Sequence, residues 1–176
     1  MKNLIMICAL VLGSQVAKAG GFIEPYLGYQ TGKVEISGGS TLKDKGTALG
    51  LRAGYQMVIP WFALDAKMYK GKDDASPQDD VSFTDVGVTV GASVPFLRPF
   101  IGYIPSAKIK SEGTGFDMTI KGTGLKLGLG IKILPLIDIN IEHTTYSLKD
   151  PEVNGVTFTG TKADYTTTMI GLGMTF

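Results

Sequence analysis

Apolar and polar residues alternate along most of this chain with a period of two, which is the period of a β-strand with one apolar face. The segment 86–94 (VGVTVGASV) puts only aliphatic side chains on one face and Gly, Thr and Ser on the other. The segments 125–133 (LKLGLGIKI) and 170–176 (IGLGMTF) repeat the pattern. Helical periodicity is absent, and beyond the N-terminus no apolar run approaches the length of a membrane helix. The pattern predicts an all-β protein.

Turn residues divide the chain at regular intervals. Short apolar turns with proline fall at 58–60, 95–99 and 134–135. Longer polar segments lie between them, at about 33–45, 71–80, 111–117 and 149–162. Eight strands are predicted, at about 22–32, 46–57, 61–70, 81–94, 99–110, 118–133, 137–148 and 163–176. Asn154-Gly155, inside the last polar segment, predicts a small additional hairpin.

The N-terminus has the pattern of a secretory signal peptide. Lys2 precedes an apolar run from Leu4 to Gly13, and a small-x-small sequence ends at Ala19. This run is shorter than the roughly 20 residues that cross a bilayer. We therefore predict a signal peptide at 1–19 and one β-barrel domain at 20–176. The domain contains no cysteine, so it can form no disulfide or thiolate metal site.

Composition narrows the function classes. The 17 basic and 16 acidic residues nearly balance, which argues against nucleic-acid binding. Glycine is abundant, at 24 of 176 residues, but it follows no collagen-like period.

The alternation alone fits a soluble sandwich, a lipocalin-like barrel or a membrane barrel. The face opposite the aliphatic residues decides between them, because it carries Gly, Ala, Ser and Thr with isolated charges of both signs. Such a face suits the narrow interior of an eight-stranded barrel, whose outer face then contacts lipid. The sequence thus predicts an eight-stranded antiparallel up-and-down transmembrane β-barrel, closed because an open edge would leave backbone groups unpaired in lipid.

Two sets of residues are candidates for special roles. Extending the alternation places these charged side chains in the lumen: Glu24, Arg52, Asp65, Lys67, Asp85, Lys108, Lys126, Lys132, Asp138 and Glu142. They form either a static ion-pair network or a gate. These aromatic residues gather near the short turns and predict a girdle at the membrane interface: Trp61, Phe62, Phe96, Phe100 and Phe176.

The closing strand, Tyr165 to Phe176, alternates apolar residues and ends on an aromatic residue. With the signal peptide and the alternation of turns and loops, it resembles the small eight-stranded barrels of the outer membrane protein A family and its loop-only relatives. The resemblance implies the cell outer membrane of a Gram-negative bacterium. It also implies insertion by the barrel assembly machinery through the C-terminal strand, among outer-membrane lipid and lipopolysaccharide.

The sequence gives little evidence of a catalytic, nucleotide-binding or calcium-binding motif. The single histidine, His143, has no nucleophile motif beside it. The glycines of 122–128 lack the spacing of a dinucleotide site, and the aspartates of 72–80 do not match a calcium loop. We predict no enzyme activity, no cofactor and no metal site.

Three functional hypotheses remain open at this point. The favoured one is a structural or surface-interaction protein with a polar, largely plugged lumen. The first alternative is a narrow gated pore for ions or very small solutes. The second is a soluble lipocalin-like carrier of a hydrophobic ligand.

Overall fold

The computed structural model describes residues 19–36, 41–74, 80–113 and 116–176, so nearly all of the predicted signal peptide lies outside the described residues. Nine strands are assigned in chain order. They are β1 (Gly20–Ile36), β2 (Thr41–Gln56), β3 (Pro60–Asp73), β4 (Asp80–Ala92), β5 (Leu97–Gly113), β6 (Phe116–Leu134), β7 (Ile137–Val153), β8 (Val156–Thr157) and β9 (Lys162–Met174). No helix in the described part of the chain is long and apolar enough to cross a membrane.

The eight long strands form a closed antiparallel barrel. Each strand from β1 to β7 pairs with the next, β7 also pairs with β9, and β9 closes the ring on β1. The short β8 extends β7 outside the ring. Closure gives each long strand two neighbours, as a strand in hydrocarbon requires. The predicted fold class is confirmed.

The strands run further toward the long-loop end than the sequence pattern suggests. β1 continues to Ile36 and β7 to Val153, into segments predicted as loops from about 33 and 149. Backbone pairing persists there because alternation continues with polar residues outside, as in the pairs Lys33–Lys43 and Val34–Leu42. Residues 37–40, 75–79 and 114–115 of the predicted loops lie outside the described residues.

A bulge in β5 corrects one prediction about the lumen. The pairing of β5 with β6 shifts between Ile104 and Ala107, where β5 has one more residue than β6, and this extra residue reverses the inward phase beyond that point. Ala107 and Ile109 are therefore buried inside, and Lys108 lies on the outer face, half-buried. The predicted lumen position of Lys108 is wrong, because strict alternation does not continue through the bulge.

The predicted final hairpin is present. Asn154 and Gly155 have φ angles of 48° and 82°, which the two central residues of a tight hairpin turn require, and Val153 pairs with Val156 across them. The Asn154 backbone N–H donates to the Asp117 carbonyl at 2.9 Å. This bond ties the hairpin to the beginning of β6.

Aliphatic side chains cover the outside of the barrel near the short turns. Leu64, Leu125 and Leu127 are 66%, 67% and 62% exposed, while the alternating positions on the same strands are buried. Toward the long loops the outward positions change to Thr and then Lys, as at Thr123 and Lys121 on β6. A soluble carrier would face its aliphatic residues inward, so that alternative is wrong.

We predict that Leu127→Arg hinders folding into lipid vesicles. An arginine on the lipid face costs about 2–4 kcal/mol near the bilayer midplane and about 0–1 kcal/mol near the interface. Thr123→Arg, on the same strand and face but beyond the aliphatic positions, is the matched control. Urea unfolding in vesicles measures both free energies. An equal decrease in the free energy of unfolding in the two variants would contradict the position of the lipid-facing band.

Candidate functional site

Three aromatic side chains fill the lumen at the short-turn end. The Trp61 ring centroid lies 5.8 Å from those of both Phe22 and Phe100. Trp61 and Phe100 are buried, so their predicted place in a membrane girdle is wrong. Alternation along β3 puts Trp61 on the buried face with Asp65, and Phe100 alternates with outward Pro99 and Ile101.

The remaining girdle candidates point outward. Phe62, Phe96 and Phe176 are all exposed near the short turns. Their contact with the membrane interface stays a prediction.

Arg52 of β2 is the centre of the buried charge network. Its guanidinium group contacts Glu24 at 2.7 Å and Asp65 at 3.3 Å, and it also pairs with Glu142. The rings of Tyr26 and Phe100 each lie 4.5 Å from its Cζ atom. Three carboxylates and two aromatic faces therefore surround a single cation.

Lys126 of β6 shares two of these carboxylates. Its Nζ lies 2.7 Å from Asp65 Oδ2 and 3.7 Å from Glu142 Oε2. The Tyr26 hydroxyl donates to the other Asp65 oxygen at 2.7 Å. The two cations and two acids thus alternate across the lumen, an arrangement that offsets the cost of burying each charge.

Lys67 and Asp85 form a neighbouring pair. Lys67 Nζ lies 3.6 Å from Asp85 Oδ2, and the Tyr146 hydroxyl donates to the same oxygen at 2.6 Å. The structure places all seven predicted charge-network side chains inside the barrel, and these are Glu24, Arg52, Asp65, Lys67, Asp85, Lys126 and Glu142.

Arg98 is a lumen charge that the sequence analysis missed. Its Nη1 contacts Glu24 Oε2 at 2.6 Å and Asp138 Oδ2 at 2.9 Å, and its Cζ lies 4.9 Å from the Trp61 ring. The sequence pattern assigns Arg98 to the turn at 95–99. Alternation counted backward from an inward Phe100 would have placed it in the lumen.

Glycines make room for the aromatic rings that flank Arg52. A Cβ atom on Gly50, which pairs with Tyr26, would lie 2.1 Å from the Tyr26 ring. A Cβ on Gly128, which pairs with Phe100, would lie 2.1 Å from the Phe100 ring. Each ring therefore lies over a neighbouring strand, and the chain's high glycine content has a packing role at these positions.

A tyrosine-rich apolar layer fills the lumen toward the long loops. Tyr146 and Tyr165 stack at 5.7 Å, and Phe83 meets Tyr146 edge-on at 4.8 Å. Isoleucine and leucine side chains complete this layer: Ile104, Ile109, Ile120 and Leu148. No sequence motif predicts this layer, because its residues come from five strands.

Asp44 lies at the loop end of this layer, beyond the aliphatic band on the outer face of β2. The hydroxyls of Tyr69 and Tyr165 donate to its Oδ1 at 2.5 and 3.1 Å. Burial raises the pKa of Asp44 above its ordinary value of 3.8; the tyrosine hydrogen bonds oppose this shift, and the charges of Asp73 and Asp74 add to it.

Residues 4–176 match the family model described as the outer membrane protein beta-barrel domain. The chain belongs to this family. No curated protein matches the chain. The family confirms the predicted outer-membrane location, and outer-membrane barrels keep their short turns at the periplasmic end and their longer loops outside the cell.

Solved structures of small outer-membrane barrels are similar in fold. OprG of Pseudomonas aeruginosa is 17% identical, with a TM-score of 0.52 over 92% of this chain and 98% of that one. Neisserial surface protein A is 19% identical, with a TM-score of 0.56 over 90% of this chain and 98% of that one. Ail, the attachment invasion locus protein of Yersinia pestis, is 16% identical, with a TM-score of 0.57 over 89% of this chain and 99% of that one. At these identities the likeness shows the fold.

We expect Arg52→Met to destabilise the barrel by about 3–5 kcal/mol, because three buried carboxylates lose their shared cation. Lys132→Met is the control: Lys132 is a half-buried lumen lysine whose Nζ bonds the Ser93 hydroxyl at 3.0 Å. Its removal should cost about 1 kcal/mol. Urea unfolding in detergent micelles compares the two. Similar losses would show that the Arg52 network is not specially stabilising.

The raised pKa of Asp44 predicts a pH dependence. The folded barrel binds the proton of the Asp44 carboxyl group more tightly than the unfolded chain does. Protonation of Asp44 therefore stabilises the fold fully below the ordinary pKa of 3.8, and this stabilisation is lost as the pH rises through the raised pKa. Asp44→Asn should remove this loss and raise stability at neutral pH. Unfolding free energies of both proteins across acidic and neutral pH provide the test, and parallel curves would contradict it.

Proposed function

We propose that this protein is a non-enzymatic outer-membrane barrel with a largely plugged lumen, acting through the strand ends and hairpin outside the cell. The observation that carries the proposal is a set of ion pairs that cross the lumen. Arg52 of β2 reaches Glu142 of β7, and Lys126 of β6 reaches Asp65 of β3. Each of these two strand pairs is separated by two intervening strands around the ring.

The layers on both sides of these ion pairs support a closed interior. The Trp61 layer lies on the periplasmic side and the Tyr146–Tyr165 layer on the outer side. Arg52 and Lys126, between them, are 1% and 3% exposed. Water would have to displace side chains at three levels to pass.

The surroundings of the titratable groups support the absence of catalysis. His143 lies on the outer face and contacts the Thr168 hydroxyl at 3.1 Å. The carboxylates at the centre and periplasmic side of the lumen are paired with lysine or arginine, which leaves them poorly placed to accept or donate a substrate proton; they are Glu24, Asp65, Asp85, Asp138 and Glu142.

The role outside the cell is supported by the length of the strands. β7 and its hairpin carry the chain well past the aliphatic band, so they present backbone and side chains above the lipid. Two structural neighbours are named as a surface protein and as an attachment invasion protein. Insertion by the assembly machinery through β9 also stays a prediction.

A narrow gated pore is the second candidate, and one feature favours it. Lys126 has a near and a far carboxylate, Asp65 and Glu142, and Lys67 Nζ has no hydrogen-bond partner among the described residues. Exchange of partners by these lysines would rearrange the lumen without unfolding the barrel.

Single-channel recording in a planar bilayer distinguishes these candidates. We expect no reproducible conductance steps from the wild-type protein, with insertion verified by protease protection. Trp61→Ala combined with Phe100→Ala removes the periplasmic layer, and Arg52→Ala opens the central one. The tyrosine-rich layer stays in place in this triple variant, so Tyr146→Ala and Tyr165→Ala are added to open the outer level. The combined variant should conduct.

Phe62→Ala with Phe96→Ala is the matched control, because it removes two aromatic rings from the outer face and should leave the bilayer silent. Wild-type steps that change in Lys126→Gln would support the gated pore and contradict the plugged lumen.

A further inference from the structure

Among the inward-facing positions that the structure describes, one pair of directly opposite charged residues carries charges of the same sign. Asp44 of β2 lies opposite Asp73 of β3 at the outer end of the lumen, and the two side chains are only 6% and 8% exposed. Like charges in this position repel and destabilise the pairing of a sheet. The other directly opposite pairs are complementary, and they are Glu24–Arg52, Arg52–Asp65, Lys67–Asp85 and Lys132–Asp138.

The next position toward the membrane repeats this conflict on the outer face. Lys45 lies opposite Lys72, so two consecutive pairs of β2 and β3 carry like charges, one inside the barrel and one outside. Each strand is better matched on its other side, because Asp44 lies opposite Gly32 of β1 and Lys72 lies opposite Asp80 of β4. Electrostatic repulsion is therefore concentrated at the boundary between β2 and β3.

A pair of glycines lies directly below these two pairs. Gly46 of β2 is opposite Gly71 of β3, and a Cβ atom on Gly46 would collide with the Lys70 carbonyl oxygen. No side chains interact across the boundary at this pair, and glycine leaves the backbone free to bend. Strand ends that separate above the glycines can therefore do so while the pairing below them persists.

Two tyrosine hydroxyls hold the boundary closed from inside. Tyr69 of β3 and Tyr165 of β9 donate to Asp44 Oδ1 at 2.5 and 3.1 Å. The Tyr165 hydroxyl lies over Gly32, where a Cβ atom would collide with it. Both partners are uncharged, and no described lysine or arginine forms an ion pair with Asp44. The carboxylate is therefore hydrogen-bonded, but its charge is not offset.

The proton on Asp44 decides between these bonds and the repulsion. The groups that face it are Tyr69, Asp73 and Asp74 from β3 and Tyr165 from β9. Burial, and then the charges of the two aspartates, raise the pKa of Asp44, while the tyrosine hydrogen bonds oppose the rise. The closed end thus holds its proton more tightly than an open end in water, so a rising pH favours opening. The nearby lysines of β1 and β2 point to the outer face, and they are Lys33, Lys43 and Lys45.

We propose that the outer end of the boundary between β2 and β3 is a pH-controlled opening in the barrel wall. The two strands separate down to Gly46–Gly71 when the Asp44–Asp73 pair is fully ionised, and they close again in acid. During opening, β2 stays paired with β1 and β3 stays paired with β4. Loss of the Asp44 bonds exposes the tyrosine-rich layer to the outside, so the device controls access to the outer lumen. This inference goes beyond the proposed function and does not depend on whether the lumen conducts.

Hydrogen–deuterium exchange of the refolded barrel in detergent micelles tests the proposal. The Asp74 N–H, which donates to the Lys43 carbonyl at 2.9 Å across the boundary, is the reporter amide. Its protection factor, referenced to the unfolded chain at each pH, excludes the intrinsic effect of pH on exchange. From acidic to neutral pH we expect this factor to fall by up to about tenfold per pH unit, the limit for loss of one proton.

Amides within the aliphatic band, at 49–55 and 62–68, should keep their protection over the same pH range. A constant protection factor at Asp74 would overturn the proposal. An equal decrease within the band would also do so, because it would show unfolding of the whole barrel and not local opening.

Asp44→Asn tests whether this carboxyl group controls the opening. The amide oxygen of asparagine still accepts the two tyrosine bonds, but the side chain carries no charge. Protection at neutral pH should then equal protection in acid. Asp74→Asn is the matched control, since this neighbouring acid lies on the outer face opposite Lys43 and should leave the decrease with pH in place. The reverse result in the two variants would contradict control by Asp44.

A reversible covalent lock tests where the wall opens. Lys45→Cys with Lys72→Cys places two cysteines opposite each other in a domain, 20–176, that has no other cysteine. The disulfide should abolish the decrease in protection of the strand ends with pH, and reduction should restore it. A decrease that persists in the disulfide form would place the opening at another boundary and overturn the proposal.

Discussion

Backbone amide and carbonyl groups have no partner in hydrocarbon except one another, and the rest of this structure depends on that constraint. Eight strands satisfy it by closing on themselves through the β9–β1 pairing. Closure at eight strands leaves an interior only wide enough for side chains. The alternation that turns aliphatic residues toward lipid consequently turns every second residue into a crowded space, where its polar groups must find partners.

The charged centre of the lumen shows how these partners are found. Burying Arg52 or Lys126 alone would cost more than any single contact returns, so the outcome depends on the geometry of the whole cluster. Arg52 meets three carboxylates, and Lys126 shares two of them. The aromatic rings on either side help to bury the cluster, and charges attract each other more strongly in a buried, low-dielectric site. Glycines such as Gly50 and Gly128 leave room for those rings to lie over neighbouring strands.

The outer surface separates its charges by distance from the membrane. Aliphatic residues cover the outer face toward the short turns, the outward lysines lie beyond them toward the long loops, and most outward acids lie further still, as with Glu35 beyond Lys33. The same strands thus face lipid along one part of their length and water along another. Extra strand length beyond the lipid, in β7 above all, is what places cations on consecutive strands in register with one another.

The sequence by itself determined the fold class, the strand count, the lipid-facing side and the lumen position of residues such as Arg52 and Glu142. These follow from a local period of two, which each strand carries on its own. The ends of strands and the bulge at Ile104–Ala107 were decided by pairing with neighbours, and this is why Lys108 was misplaced. The contact of Trp61 with Phe100 and the partners of Arg98 exist only between strands that are distant in the chain. Barrel closure and strand register bring such residues together, and the local sequence pattern does not predict which residues will be in contact.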